Sequence, residues 1–139
     1  MISTIVRLTK AAVALLEERA ALGPAFTYCV VRQDMSIAQQ MCQAVHAALL
    51  AGKDLSHVPH LNLALIGVPD EPTLRQVEML MAKHAIQQRV FTEEDERYHT
   101  ALCSEAIRDR RVRKILADLP WWTPIELGDS ASYWRPGAK

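Results

Sequence analysis

Residues 28–49, YCVVRQDMSIAQQMCQAVHAAL, contain a change of hydrophobic period that decides the fold. The run from AFT at 25–27 through Val31 is β-branched and aromatic with few polar residues, the pattern of a central strand covered on both faces. Asp34 marks its end. From Ser36, a suitable N-cap, the period becomes helical and places Ile37, Met41, Ala44, Val45, Ala48 and Leu49 on one stripe, with Gly52 as a C-terminal stop. That stripe is expected to be the buried face. Gln39, Gln43 and His46 follow at i, i+4 and i+7 near the carboxyl end of the strand, where ligands gather in open α/β sheets. Such a polar triplet is more often the solvated edge of a helix than a site, and spacing alone does not decide between them.

Working outward, the polar connector KDLSHVPH leads to the apolar run LNLALIGV, so the unit reads strand, helix, strand, with two parallel strands and a right-handed crossover. PDEPTL then opens a helix: Asp70 caps it, Pro72 sits in its first turn, and Leu74, Val77, Met81 and Ala85 form its buried side. QQRVFTE and HTALCSEAI flank the charged turn EDERY as an antiparallel hairpin. A last helix spans 109–119, with Val112, Ile115, Leu116 and Leu119 apolar, and Pro120 ends it. At the other end, Ile5, Leu8, Ala12, Leu15 or Leu16, and Arg19 recur at three and four over residues 2–22, an amphipathic helix stopped by Gly23 and Pro24.

The expected fold is thus a single α/β domain, order α-β-α-β-α-β-β-α, with a mixed sheet of about four strands and helices on both faces. Its divisions are a helical extension at 1–24, the α/β domain at 25–119, and a Pro- and Trp-containing tail at 120–139. Trp121, Trp122 and Trp134 in that tail are expected to bury against their own domain or a partner subunit rather than stack bases.

At 139 residues one core suffices, and half the residues being hydrophobic against 23% charged excludes a disordered chain. Sixteen basic and sixteen acidic residues cancel, so attraction to phosphate depends on local clusters. Three cysteines without CxxC spacing imply reduced thiols, and the histidines form no ligand-spaced cluster, so no metal and no cofactor are expected. Arg7 and Lys10 interrupt the first apolar run, which therefore lacks a signal peptide's core, and no run has the length of a membrane span. The expectation is a cytoplasmic protein, not a membrane one, with the N-terminal helix or the Trp tail as a homodimer element.

Arg32, Asp34, Gln43, His46 and Ala47, taken with Pro69, Asp70, Glu71 and Leu74, are in register with a known pattern. An Arg and an Asp after a valine-rich strand, a Gln-x-x-His-Ala helix, and an apolar strand running into Pro-Asp-Glu-x-x-Leu resemble the type II peptidyl-tRNA hydrolase family over residues 26–119. The resemblance implies hydrolysis of the ester joining a peptide to the 3′ ribose of tRNA. Such a reaction needs a positioned water, a group to take its proton, and donors facing the oxyanion. The chain departs from the family at two places. Gln39 stands where the family carries the lysine of a glycine-lysine pair, and an amide supplies no cation. The hairpin is shorter, with Glu93 or Glu94 in place of an aspartate and Thr100 as its threonine. Both departures also occur in a divergent branch with a Gln-Ala-x-His-Ala helix, here QAVHA.

The candidate catalytic residues are therefore Asp34, Gln39, Gln43, His46, Glu93, Glu94 and Thr100. His46 reads either as a proton-handling group or as a helix histidine wedged against a following loop. RDRRVRK adds a basic cluster of Arg108, Arg110, Arg111, Arg113 and Lys114 which, with Arg32, is suited to tRNA phosphates or is simply the solvated side of a helix. The other class that fits is an inactive RNA- or protein-binding module on the same fold.

Overall fold

The structure is a computed structural model that describes residues 2–92 and 98–124. Glu93, Glu94 and Trp134, which the sequence singles out, lie outside the described residues. The expected order is present. Helix α1 (Ile2–Ala21) runs directly into strand β1 (Leu22–Arg32), followed by α2 (Ile37–Leu55), β2 (Asn62–Val68), α3 (Glu71–Lys83), β3 (Gln88–Thr92), β4 (His99–Ser104), β5 (Ile107–Asp109) and α4 (Arg110–Ile115). Gly23 and Pro24 do stop α1, but they belong to β1, whose first residues pair with β5. The expected last strand breaks at Ser104 into β4 and β5, which makes a five-stranded sheet.

Strands run in the order β2-β1-β4-β3, with β1 and β2 parallel and the β3–β4 pair antiparallel. Alternate residues of β1 feed two cores. Tyr28 and Val30 meet Leu74, Val77 and Met81 of α3 and Leu116 beyond α4, while Cys29 and Val31 meet Ala47 and Ala51 of α2 with Ala101 and Cys103 of β4. Helices therefore cover both faces. Asp70 caps α3 as expected, its Oδ1 accepting from the Thr73 backbone at 3.0 Å and hydroxyl at 2.6 Å.

Helix α2 is turned about its axis relative to the expectation. Its buried residues are Gln40, Gln43, Ala47 and Ala51, whereas Met41 is 62% and Leu49 70% exposed, with Ile37 and Val45 also open to solvent. Small side chains face small side chains. Alanines against Cys29, Ala101 and Cys103 let the helix approach the sheet closely, which a Leu- and Met-bearing face would prevent.

The segment after α4 lies along β2, the outer strand of the parallel pair. Gly67 N–H donates to Pro120 O at 3.1 Å and Trp122 N–H to Leu65 O at 2.9 Å. This covers an edge that would otherwise offer unpaired backbone groups. Trp122 packs into the α2-side core and Trp121 remains 66% exposed.

Candidate functional site

At the carboxyl end of β1 the chain turns sharply into α2, and the turn forms one wall of a cleft of about 220 Å³. Arg32, Asp34, Met35, Gln39, Gln43, Tyr98 and Thr100 line it. Five of the sequence candidates are thus brought together. Met35 and Tyr98 were not among them; Tyr98 ends the charged turn and carries no spacing signal of its own.

Thr100 and Gln43 are 57 positions apart and meet because β4 pairs beside β1 and beneath α2. The buried Thr100 hydroxyl donates to Gln43 Oε1 at 3.0 Å and also reaches Phe91 O at 3.3 Å. The contact fixes the Gln43 amide, whose Nε2 end is a donor. Gln39 serves the helix itself: its Oε1 accepts the Ser36 N–H at 3.1 Å while Ser36 Oγ accepts the Gln39 N–H at 3.2 Å, a reciprocal capping box.

Arg32 and Asp34 form a planar two-bond pair, with Nε to Oδ1 and Nη2 to Oδ2 both at 2.7 Å. Arg32 Nη1 also reaches Glu71 Oε2 and His99 O, each at 3.3 Å. Asp34 chiefly, with Glu71 and Asp70, holds the guanidinium above its already high ordinary value against the opposing effect of burial. Its charge is therefore balanced within the fold. Glu71 in turn accepts from Arg75 Nε at 2.8 Å, and His99 Nδ1 is in hydrogen-bond contact with Glu78 Oε1.

His46 is exposed, does not line the cleft, and places its ring 4.5 Å from that of Phe91. Its neighbour is therefore strand β3 rather than the loop that follows α2. Behind the cleft wall lies a buried amide network that the sequence reading passed over. Gln40 Oε1 accepts from Trp122 Nε1 at 2.7 Å and from Gln33 Nε2 at 3.4 Å, Gln40 Nε2 donates to Met35 O at 2.8 Å, and Gln33 Nε2 donates to Thr123 O at 2.8 Å. A signal was present: Gln40, Gln43, Ala44, Ala47 and Ala51 form a second stripe at helical spacing, made of amides and alanines.

The basic cluster sits elsewhere. Helix α4 follows β5, which pairs with the amino-terminal half of β1, and it packs on the α3 side of the sheet. From Phe26 to Arg32 the strand covers about 20 Å. Arg111 is bonded to Asp109, Arg113 lies 4.4 Å over the Phe26 ring and donates to Pro24 O, and Arg108, Arg110 and Lys114 are exposed. Arg32 and the α4 cations therefore do not form one patch.

Arg111 and the backbone amides at the start of α4 hold the Asp109 carboxyl down at about 2, and Thr73 lowers that of Asp70. An unfolded carboxyl titrates near 3.9, so both groups favour the folded state above that value; Asp109 ceases to do so as pH falls toward 2, and the contribution of Asp70 is likewise lost as pH falls through its lowered folded-state value. Urea midpoints measured from pH 5 to pH 2 should decline, and Asp109→Asn should flatten part of that decline; an unchanged acid limb would remove Asp109 from the account. In the sheet interior, hydrogen bonding with Cys103 and burial push the Cys29 thiol up. Both thiols are about 1% exposed and are closed off from solvent.

Among the described residues, no group of three or more His, Cys, Asp or Glu is placed to hold a metal ion, and no helix is long and apolar enough to cross a membrane. No known family model matches the sequence, and no curated protein matches it.

Proposed function

We propose that this chain is a divergent relative of the type II peptidyl-tRNA hydrolases, and that the cleft at the end of β1 takes the ester between an acylated amino acid and the 3′ ribose of tRNA. The observation that supports the reading best is the Thr100–Gln43 contact in the wall of a cleft that Asp34 also lines. Asp34 takes the proton of a water that attacks the ester carbonyl. Both its oxygens accept from Arg32, yet an ionised carboxylate offers about four lone-pair directions and can accept another hydrogen. Gln43 Nε2, held by Thr100, donates to the carbonyl oxygen as negative charge develops there, and the tetrahedral species collapses with the ribose oxygen leaving and taking the proton that Asp34 removed from the water. Tyr98 and Met35 give the cleft apolar surface for the acyl group.

A second reading has its own support: the protein binds such an end without cleaving it. Gln39 stands at the lysine position and is tied into the α2 cap, and Arg32, the cation of the lining, is bonded to two carboxylates. Single-turnover release of tRNA from N-acetyl-aminoacyl-tRNA separates the two. Release above buffer, slowed about tenfold by Thr100→Val with filter retention unchanged, supports the hydrolase. Retention without release leaves the binding module, and neither release nor retention removes both.

A further inference from the structure

The most unusual surface of the molecule is on α2. Ile37, Met41, Val45 and Leu49 recur every four residues along its outer side, with Ala38, Ala48 and Cys42 beside them, and no charged residue occurs from Met35 to Gly52. The four large side chains alone leave on the order of 400 Å² of apolar surface open, as much as the largest patch on a typical monomer. Lack of charge combined with contiguity is the composition of an interface centre rather than of a solvated helix.

A second uncovered apolar face is carried by the same chain. From Thr9 to Arg19, α1 is exposed throughout, including Val13, Leu15 and Leu16. A twenty-residue helix in water draws little stability from propensity alone and depends on packing of its apolar side. In this structure α1 packs against β1 and makes no substantial contact with its own α2. With no loop between Ala21 and Leu22, α1 continues from the amino end of β1 as an arm about 30 Å long, and folding it back over α2 would require the β1–β5 pairing at Leu22 to open.

We infer that the chain is a twofold homodimer in which α1 of each protomer lies along the Ile37-Met41-Val45-Leu49 face of its partner's α2. The stripes match in kind and length: Ala12, Leu15 and Leu16 share one side of α1, and the α2 stripe of twelve residue steps spans about 18 Å. Two such helix contacts related by a twofold axis bury roughly 1,500 Å² in total, the size of a stable specific interface. An isologous exchange also uses both faces at once, which pairing α1 with α1 or α2 with α2 alone does not. The inference is independent of any reaction in the cleft.

Sedimentation equilibrium on the full chain tests it, with Leu49→Glu for the α2 face and Leu15→Glu with Leu16→Glu for the α1 face. All three positions are open to solvent, and far-UV circular dichroism and the urea midpoint of the core check that each variant is folded. The expected result is a mass twice the 15.6 kDa of the chain for the parent, with each variant raising the dissociation constant at least a hundredfold. Alkylation of Cys42, on the same face, should slow as protein concentration rises through that constant. A parent that stays monomeric at the highest concentration loaded, a dimer that survives either set of changes, or a Cys42 rate independent of concentration would overturn the exchange.

Discussion

Replacing Gln40 by Leu is expected to cost about 3 kcal/mol of stability, although the two side chains are nearly equal in size. Gln40 is 1% exposed and its amide is used at both ends. It accepts from Trp122 Nε1 and Gln33 Nε2 and donates to Met35 O, with Gln33 O in longer reach. An apolar Leu restores the contact volume but leaves the indole N–H and the Met35 carbonyl without their partner, and a stranded buried polar group costs more than a hydrogen bond gains. Urea unfolding should show the midpoint falling with an unchanged slope. Adding Trp122→Phe, which removes the stranded donor, should recover about 1 kcal/mol. A variant as stable as the parent would mean that the network contributes nothing net. Because Met35 and Gln39 flank the same turn, the cleft wall is expected to loosen with it.

The two faces of α2 show which part of this molecule could be read in advance. The order of elements, the parallel pair and the hairpin followed from local period, because β1, β2, α3 and the caps at Ser36 and Asp70 are decided by neighbours within a few residues; the order of strands in the sheet did not. The face of α2 that turns inward is decided by distant ones. Gln40 can be buried because Trp122 arrives 82 positions later, and Gln43 because Thr100 arrives 57 later. Ala47 and Ala51 suit a sheet surface of Cys29, Ala101 and Cys103 that no window of α2 contains. Hydrophobic period finds a stripe but not what covers it. For the same reason Gln43, Thr100 and Asp34 were legible as candidates, largely through the resemblance, while the bond between Thr100 and Gln43 was not, nor was the placing of His46 beside Phe91. The basic run at 108–114 reads as one cluster, yet in space Arg111 and Arg113 are engaged by Asp109 and Phe26.

Gly67→Ala should cost about 2 kcal/mol, and the cost should vanish when Gln33 is shortened. A methyl group at Gly67 would stand 2.2 Å from Gln33 Oε1, 2.5 Å from Cδ and 3.2 Å from Cγ, so the whole end of that side chain must move. A surface glutamine would swing aside at little cost. Gln33 is buried, its Nε2 holds Thr123 O and Gln40 Oε1, and its backbone N–H donates to Val68 O at 2.7 Å, so displacement detaches the segment that covers β2. In the Gln33→Ala background the methyl group meets no such obstacle, and Gly67→Ala should then change stability by less than about 0.5 kcal/mol. The four urea curves of this cycle therefore predict a coupling of about 1.5 kcal/mol in favour of the double variant. Strict additivity would mean that Gly67 is required for its backbone alone. A coupling of the expected size instead assigns the glycine to one task, making room for the amide that joins the β1–α2 turn to the Trp122 segment and keeps the cleft's inner wall in place.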